Sequence, residues 1–466
     1  MNPFLNPFIS IPSLQHFLFD PSRLQRKTSK DMERYRDKMF RRTIKYAYTV
    51  PLYHNKYREA GIHPGDITGV KDIAKLPFIT KQDIIQHFPD DVYSVKYDKS
   101  KAFVTTTSGV TGKPVSLYTD FPTMAQASCI FIRELQQYHL HWNTSRIAHI
   151  GNFSKYKPDS VHHQGFISPA KSLLGLKNYL FINAFDPMNE IIEKLDRFQP
   201  DLIISYPATF GHLAYLKNKG YGSHINPTVL NVGASETDPY TKRYVEEAFH
   251  CKMLNVYSST EAGSDIAFEC FHGTWHINYD FYYIEVIDEN REVLDPNTKG
   301  QLVLTRLFGH GTPFIRYTGM QDWVTIAPEY TCNCGLCTQI FPHGIGGRIS
   351  SSIYLPDGRL FPAASFASIE YVVKELNTKK IKQYQIVQKK IDEIVIFLVI
   401  DEELHEPEPS VNVIIKKIQD LYAKKAGPEV TINVKTVKEI PSLPGKPAPV
   451  VISNVKPEKG YKLIDW

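Results

Sequence analysis

Four hydroxyl residues, two glycines and a lysine share nine consecutive positions, Thr106-Thr107-Ser108-Gly109-Val110-Thr111-Gly112-Lys113-Pro114. Glycines let backbone N–H groups turn onto oxyanions, hydroxyls add neutral donors and a lysine brings mobile positive charge. The composition is therefore that of a polyphosphate cradle. It is not a Walker A loop, because too few residues separate Gly109 from Gly112 and a proline follows the lysine. Taken alone, such a run is also what a solvated surface loop looks like.

Other stretches add chemistry that suits the same ligand. In Val256-Tyr257-Ser258-Ser259-Thr260-Glu261 an apolar run ends in polar residues. This places Thr260 and Glu261 at a strand's C-terminal end, where open α/β sheets build their sites and where a carboxylate can hold Mg²⁺. Asn231 to Glu236 has the same form, and Gly233, Ala234, Ser235 and Glu236 leave room for a flat ring against backbone. Between Thr312 and Asp322, Arg316 is joined to an acid across a turn. Asp322 can accept two hydrogen bonds from a ribose diol. Gly346-Gly347-Arg348 falls where the texture of the chain changes, so it reads as a hinge with an arginine able to reach a nucleotide. Pro441 to Lys446 is a proline- and glycine-set loop carrying one lysine. Cys332, Cys334 and Cys337 crowd a glycine-containing turn, with Cys270, His272 and His276 upstream on another. Thiolates and imidazoles in that number suit a four-coordinate zinc, although closely spaced cysteines can also go unliganded.

The elements that must position these groups follow from periodicity. Ser29 to Ala60 reads as helical, and Thr80 is a fresh N-cap after Pro77. Short apolar runs (146–150, 201–205, 229–232, 252–256) alternate with helical stretches (187–198, 239–249), which implies βαβ units and a largely parallel sheet. After Phe281 the pattern turns two-periodic, at 282–287 and 300–305, as in antiparallel strands. A small α+β unit follows, with strands at 385–388, 393–400 and 430–437 and a helix at 411–424. The expected fold is therefore α/β: a large N-terminal domain, 1–347, of mixed, largely parallel sheets flanked by helices with an antiparallel closing sheet, then a small mobile α+β domain, 348–466.

Composition bounds the partners. The chain has 466 residues, 42% of them hydrophobic, and a formal net charge of +5, which suits an anionic substrate. Its lysines form no stripe for nucleic acid. The segment Met1 to Asp20 has three prolines and no basic start, so no signal peptide is expected. No run approaches the roughly eighteen apolar residues of a membrane span. Six cysteines in so long a chain make no disulfide scaffold and point to a reducing cytoplasm.

In order along the chain, Tyr48 to Tyr53, Leu76 to Lys81, the Ser/Thr/Gly loop, Gly233 to Glu236, Tyr257 to Glu261, Asp322, Gly347-Arg348 and Lys446 resemble the adenylate-forming superfamily of acyl-CoA synthetases. Within it they resemble the phenylacetate-CoA ligase-like branch, which includes coenzyme F390 synthetases and capsule-associated CapK-type proteins. The resemblance implies an ATP-dependent, AMP-forming ligase. A carboxylate attacks the α-phosphate, pyrophosphate leaves, and a thiol, usually coenzyme A, takes the acyl group. It implies that Thr106, Thr107, Ser108, Gly109, Thr111, Gly112 and Lys113 hold the β- and γ-phosphates, and that Gly233, Ala234, Ser235 and Glu236 with Tyr257 and Ser258 frame adenine. Glu261, beside Thr260, would ligate Mg²⁺, and Asp322 with Arg348 would hold the ribose. Lys446 would bridge carboxylate and α-phosphate, delivered and withdrawn by rotation of the small domain. Because some members carry a structural zinc in a comparable place, Cys270, His276, Cys332 and Cys334 are the expected ligands, with Cys337 or His272 as substitutes. Homodimers are common among the relatives.

Three departures stand out. Ile349-Ser350-Ser351-Ser352 follows the arginine where relatives carry acids, Arg316 and Asp322 are six apart, and no basic residue follows Lys446. Other readings are an adenylyltransferase or amide-forming ligase with a non-CoA acceptor, or a degenerate nucleotide-binding scaffold in polysaccharide biosynthesis. The acid is expected to lie among residues 149–185 and 257–263, where Phe153, Tyr156, His162, His163 and Phe166 suggest an aromatic wall.

Overall fold

The computed structural model describes residues 25, 29–107, 113–235, 237–401, 404, 409–441, 449–455 and 460–464. The N-terminal helical region is two helices, Ser29–Ala47 and Pro51–Glu59, because Pro51 cannot continue the first but can start the second. Thr80 caps the helix Lys81–His87 through a reciprocal box with Asp83.

The strands β1 (Phe103–Thr106) and β2 (Ser116–Thr119) form an antiparallel hairpin whose connecting segment is the Ser/Thr/Gly loop. Neither strand is marked by periodicity, since each spans only four residues. The following strands are β3 (Ile147–Gly151), β4 (Tyr179–Asn183), β5 (Leu202–Ser205), β6 (Val229–Val232), β7 (Lys252–Ser258), β8 (Asp265–Glu269) and β9 (Trp275–Ile277). Then come β10 (Tyr282–Ile287), β11 (Lys299–Arg306), β12 (Asp322–Thr325), β13 (Ala327–Thr331), β14 (Cys337–Ile340) and β15 (Ile345–Arg348).

A nine-stranded sheet runs β13-β14-β9-β8-β7-β6-β5-β3-β4. It is parallel from β4 to β7 and antiparallel from β7 to β13, so β7 joins two textures that the sequence separates. Strand alternation explains the two faces of its parallel part. Ile147, Leu202, Val229 and Leu254 pack with Leu135 and Tyr138 on one side. Ala148, Ile203, Leu230 and Met253 pack on the other with Ile191, Phe210 and Val245. Helices therefore cover both faces, as near-continuous apolar strands require. A second sheet, β10-β11-β12-β15, is antiparallel throughout.

The remaining strands are β16 (Ile353–Tyr354), β17 (Arg359–Phe361), β18 (Ile381–Lys390), β19 (Glu393–Ile400), β20 (Thr431–Thr436), β21 (Val451–Ser453) and β22 (Lys462–Leu463). With the helices Ile369–Leu376 and Val411–Ala426 they enclose most of a further core, which includes Ile386, Ile396, Leu398, Ile418 and Tyr422. The mixed α/β class expected from the sequence is observed. Among the described residues no helix is long and apolar enough to cross a membrane.

Candidate active site

Sheet topology gathers the motifs. Gly233, Ala234 and Ser235 leave the C-terminal end of β6, while Tyr257 and Ser258 end the neighbouring β7. Gly233 has no room for a side chain, since a Cβ there would lie 2.8 Å from Val256 Cγ2. Ala234 takes a left-handed φ of 66°, which exposes the backbone at the turn. Glu236 lies outside the described residues, as do Ser108, Gly109, Thr111, Gly112 and Lys446.

Asp322 opens β12, Arg348 ends β15, and the two are direct register partners. Arg348 Nε sits 3.1 Å from Asp322 Oδ1, and Tyr257 donates its hydroxyl to Asp322 Oδ2 at 2.6 Å. The two sheets thus meet at a carboxylate held from both sides, 3% exposed. Arg348 also donates to the carbonyl of Met320 at 2.9 Å.

Glu261 follows Thr260 in the turn after β7 and is buried. Burial raises its carboxyl above the ordinary range, while Arg348, a hydrogen bond from Tyr317 and Lys81 oppose the shift. Tyr317 donates to Glu261 Oε1 at 3.2 Å. Sequence reasoning assigns no role to Tyr317 or Lys81. Tyr317 lies in the 312–322 stretch, but only the pairing of its backbone with Leu304 turns it inward.

Thr106 and Thr107 stand at the mouth of the hairpin. Thr106 Oγ1 is 3.1 Å from Ser116 Oγ, and Val115 donates its N–H to Thr107 Oγ1 at 2.9 Å. Lys113, exposed, shares a polar cavity of about 510 Å³ with Thr80, Lys81, Thr318 and Gln321. Lys113, the Lys81 helix and the turn before Asp322 therefore face one space.

Arg316 does not approach Asp322 as the turn reading expects. With φ 48° it points away and forms a buried ion pair with Glu285, at 2.9 and 3.1 Å. It also donates to the carbonyl of Leu76 at 2.7 Å. The expected aromatic wall divides as well. Phe153 contacts the rings of His149, His163 and Phe181, whereas His162 stacks on Phe166 in a separate cluster with Phe121. Tyr156 is exposed, and it is its carbonyl that accepts the Thr106 N–H.

Cys270, His276, Cys332 and Cys334 bring their ligand atoms within 4.8 Å of one another. Cys270 Sγ and Cys332 Sγ are 3.8 Å apart, and Cys334 Sγ lies 3.2 Å from His276 Nε2. A tetrahedral ion with metal–sulfur bonds of about 2.3 Å needs sulfurs about 3.8 Å apart, so the donor set fits one. His276 Nδ1 lies 2.8 Å from Thr338 Oγ1, a contact that leaves Nε2 free to ligate when Nδ1 carries the proton. Cys337 and His272 stand outside this group. Cys337 Sγ accepts from Thr331 instead.

Residues 364–454 match the CapK C-terminal domain family. Phenylacetate-coenzyme A ligase of Pseudomonas putida is 26% identical over 295 residues, covering 59% of this chain and 62% of the relative. Protein CapK of Staphylococcus aureus is 25% identical over 393 residues, 83% of this chain and 81% of the relative. The chain is similar in sequence to phenylacetate-CoA ligases and to CapK. Its alignment spans less than two thirds of the P. putida ligase's length. The fold is that of 2-hydroxyisobutyryl-CoA ligase in the postadenylation state, with a TM-score of 0.74 at 17% identity over 95% of this chain and 91% of the other. An anthranilate CoA ligase bound to anthranoyl-AMP follows at a TM-score of 0.52 and 13% identity, over 76% of this chain and 66% of the other.

Proposed function

We propose that this phenylacetate-CoA ligase-like chain is an ATP-dependent, AMP-forming acid–thiol ligase, with coenzyme A as the thiol. The observation that carries the reading is the Tyr257–Asp322–Arg348 triad beside buried Glu261, on the same side as Lys81 and Lys113. Asp322, fixed on both oxygens, keeps lone pairs for a ribose diol. The turn at Gly233 and Ala234 offers bare backbone to adenine. Thr106, Thr107 and Lys113 would take the outer phosphates, and Ser258 would border the base.

Glu261 would hold Mg²⁺, which when bound offsets the charge gathering on the phosphates. Its raised carboxyl is the state that a nearby cation would ionise. Lys446 would place positive charge between the acid's carboxylate and the α-phosphate, where a P–O bond forms to the acid oxygen and the bond to pyrophosphate breaks. The chain would divide at Gly347/Arg348, so that the part bearing Lys446 can move. Cys270, His276, Cys332 and Cys334 would hold a structural zinc, since four protein ligands leave no open position for chemistry.

The test is carboxylate-dependent release of pyrophosphate from ATP and Mg²⁺ over a panel of aryl, fatty and amino acids, with and without coenzyme A, for wild type and Lys446→Ala. Release that needs one acid and is lost in the variant is the expected result. ATP binding without release for any acid would sink the reading.

A further inference from the structure

One helix of the parallel-sheet layer, Pro239–Phe249, reaches into the C-terminal core, and a second, Pro207–Asn218, touches its edge through Tyr215. Tyr240, on the helix Pro239–Phe249, is 4% exposed and belongs to the cluster otherwise built from residues 353–451. Its hydroxyl donates to the carbonyl of Ile381, and its ring meets Tyr384 edge-on at 6.4 Å. One helical turn further, Arg243 Nε lies 3.1 Å from Glu370 Oε1, whose side chain is 8% exposed. Lys382 donates to the hydroxyl of Tyr215 at 3.0 Å from the other side, its ammonium 4.2 Å from that ring's centre. Lys379 pairs with Glu247 at 3.7 Å.

A different kind of contact holds the junction between the two parts. Trp323, next to Asp322, donates Nε1 to Ser352 Oγ at 3.0 Å, and the Ile349 N–H bonds the carbonyl of Gln321 at 2.9 Å. Ser352 and the Ile349 N–H therefore tie the junction to the strand that opens at Asp322.

We infer that Tyr240, Arg243 and Glu370 form a clasp that holds residues 348–466 docked on residues 1–347, while the Trp323–Ser352 bond fixes the pivot about which they part. This rests on the ligase reading, in which that part must move. The chemistry suits a reversible contact. It consists of one inserted aromatic ring and a few ion pairs, and interfaces of this polar kind favour relative motion of the parts they join. Glu370 also pairs with Lys374 on its own helix at 3.1 Å, so undocking leaves it a partner. These are positioning residues, because none of them is among those assigned to the nucleotide.

The test is hydrogen exchange by mass spectrometry on the full-length chain without ligands, for wild type, Arg243→Glu and Tyr240→Ala, with Arg243→Gln read if either variant does not fold. Faster exchange by about tenfold in segments 349–354 and 369–376, at unchanged exchange in β5 and β6, is expected of a released clasp. Unchanged exchange in these segments in folded variants overturns it. In single-turnover assays pyrophosphate release and thioester formation should then change by different factors, whereas a merely destabilised enzyme would lose both alike. Because exchange is read without substrate, a clasp that responds in a chain that releases no pyrophosphate would reject the ligase reading and leave the clasp standing.

Discussion

Tyr257 and Asp322, from two different sheets, meet through a 2.6 Å hydrogen bond from the phenol to a carboxylate oxygen whose twin faces Arg348. The bond orients the acid before any ligand arrives. Tyr257→Phe removes it and keeps the ring, which in the proposed reading would border the base. A hydrogen bond to a charged group contributes about 1.5 kcal/mol, so ATP affinity by calorimetry should weaken about tenfold. Asp322→Ala should weaken it more. Equal ATP affinity in all three folded proteins would rule out the ribose role.

Arg316 makes the opposite prediction, although it lies only six residues from Asp322. Its pair with Glu285 is buried on both sides, 6% and 3% exposed, and its guanidinium rests on the Phe78 ring at 3.9 Å. Removing one partner strands the other charge, which costs about 3–5 kcal/mol. Arg316→Ala should lower the urea midpoint sharply, while ATP affinity of the folded fraction stays within about twofold of wild type, a span of under about 0.5 kcal/mol. A selective loss of ATP affinity at full stability would return Arg316 to the site.

For the thiolate cluster, the expected outcome is one zinc per chain by elemental analysis. Cys334→Ser and His276→Ala should lose the metal, and Cys337→Ser should keep it, since Cys337 lies outside the donor group. Because zinc binding contributes to folding free energy, a strong chelator should also lower the melting temperature of wild type but not of Cys334→Ser. Metal retained by Cys334→Ser and lost by Cys337→Ser would reverse the ligand assignment.

What is legible in the sequence follows a physical line. The strand at 252–256, which the structure extends to Ser258, and the helix Pro239–Phe249 can be read because a short apolar run and a proline-started helix are local signals. The crowding of cysteines and histidines can be read locally, but choosing Cys270, His276, Cys332 and Cys334 over Cys337 or His272 rests on the resemblance, and it is the structure that brings these four together. Arg316 cannot be placed: its left-handed φ sends the side chain away from the neighbour it has in sequence, and nothing local forces that conformation on an arginine. Tyr317 and Tyr240 escape sequence reasoning for a related reason. Each acts on a partner far along the chain, Glu261 and Ile381, and only the packing of separate elements creates the contact.

A pH dependence belongs to Asp265 and Glu134, next to Ser258. Asp265, at the start of β8, is pushed up to about 6 from 3.8 by burial, with the neighbouring Glu134 and Ser258 side chains opposing the rise. Glu134, 1% exposed, is raised as well, by burial first and then by Asp265. A carboxyl whose folded value is raised contributes stability that is fully present below its unfolded value and is lost as pH rises through the folded one. Wild type should therefore lose stability between pH 3.8 and about 6 through this group. Asp265→Asn keeps the shape without the charge, so its stability relative to wild type should rise across that window. The rise is about 3 kcal/mol at most, because each pH unit between the unfolded and folded values contributes about 1.4 kcal/mol. Urea unfolding from pH 4 to 7 measures the difference. Parallel curves for the two proteins would mean that Asp265 titrates alike folded and unfolded, and that water or a cation reaches it from the ligand side.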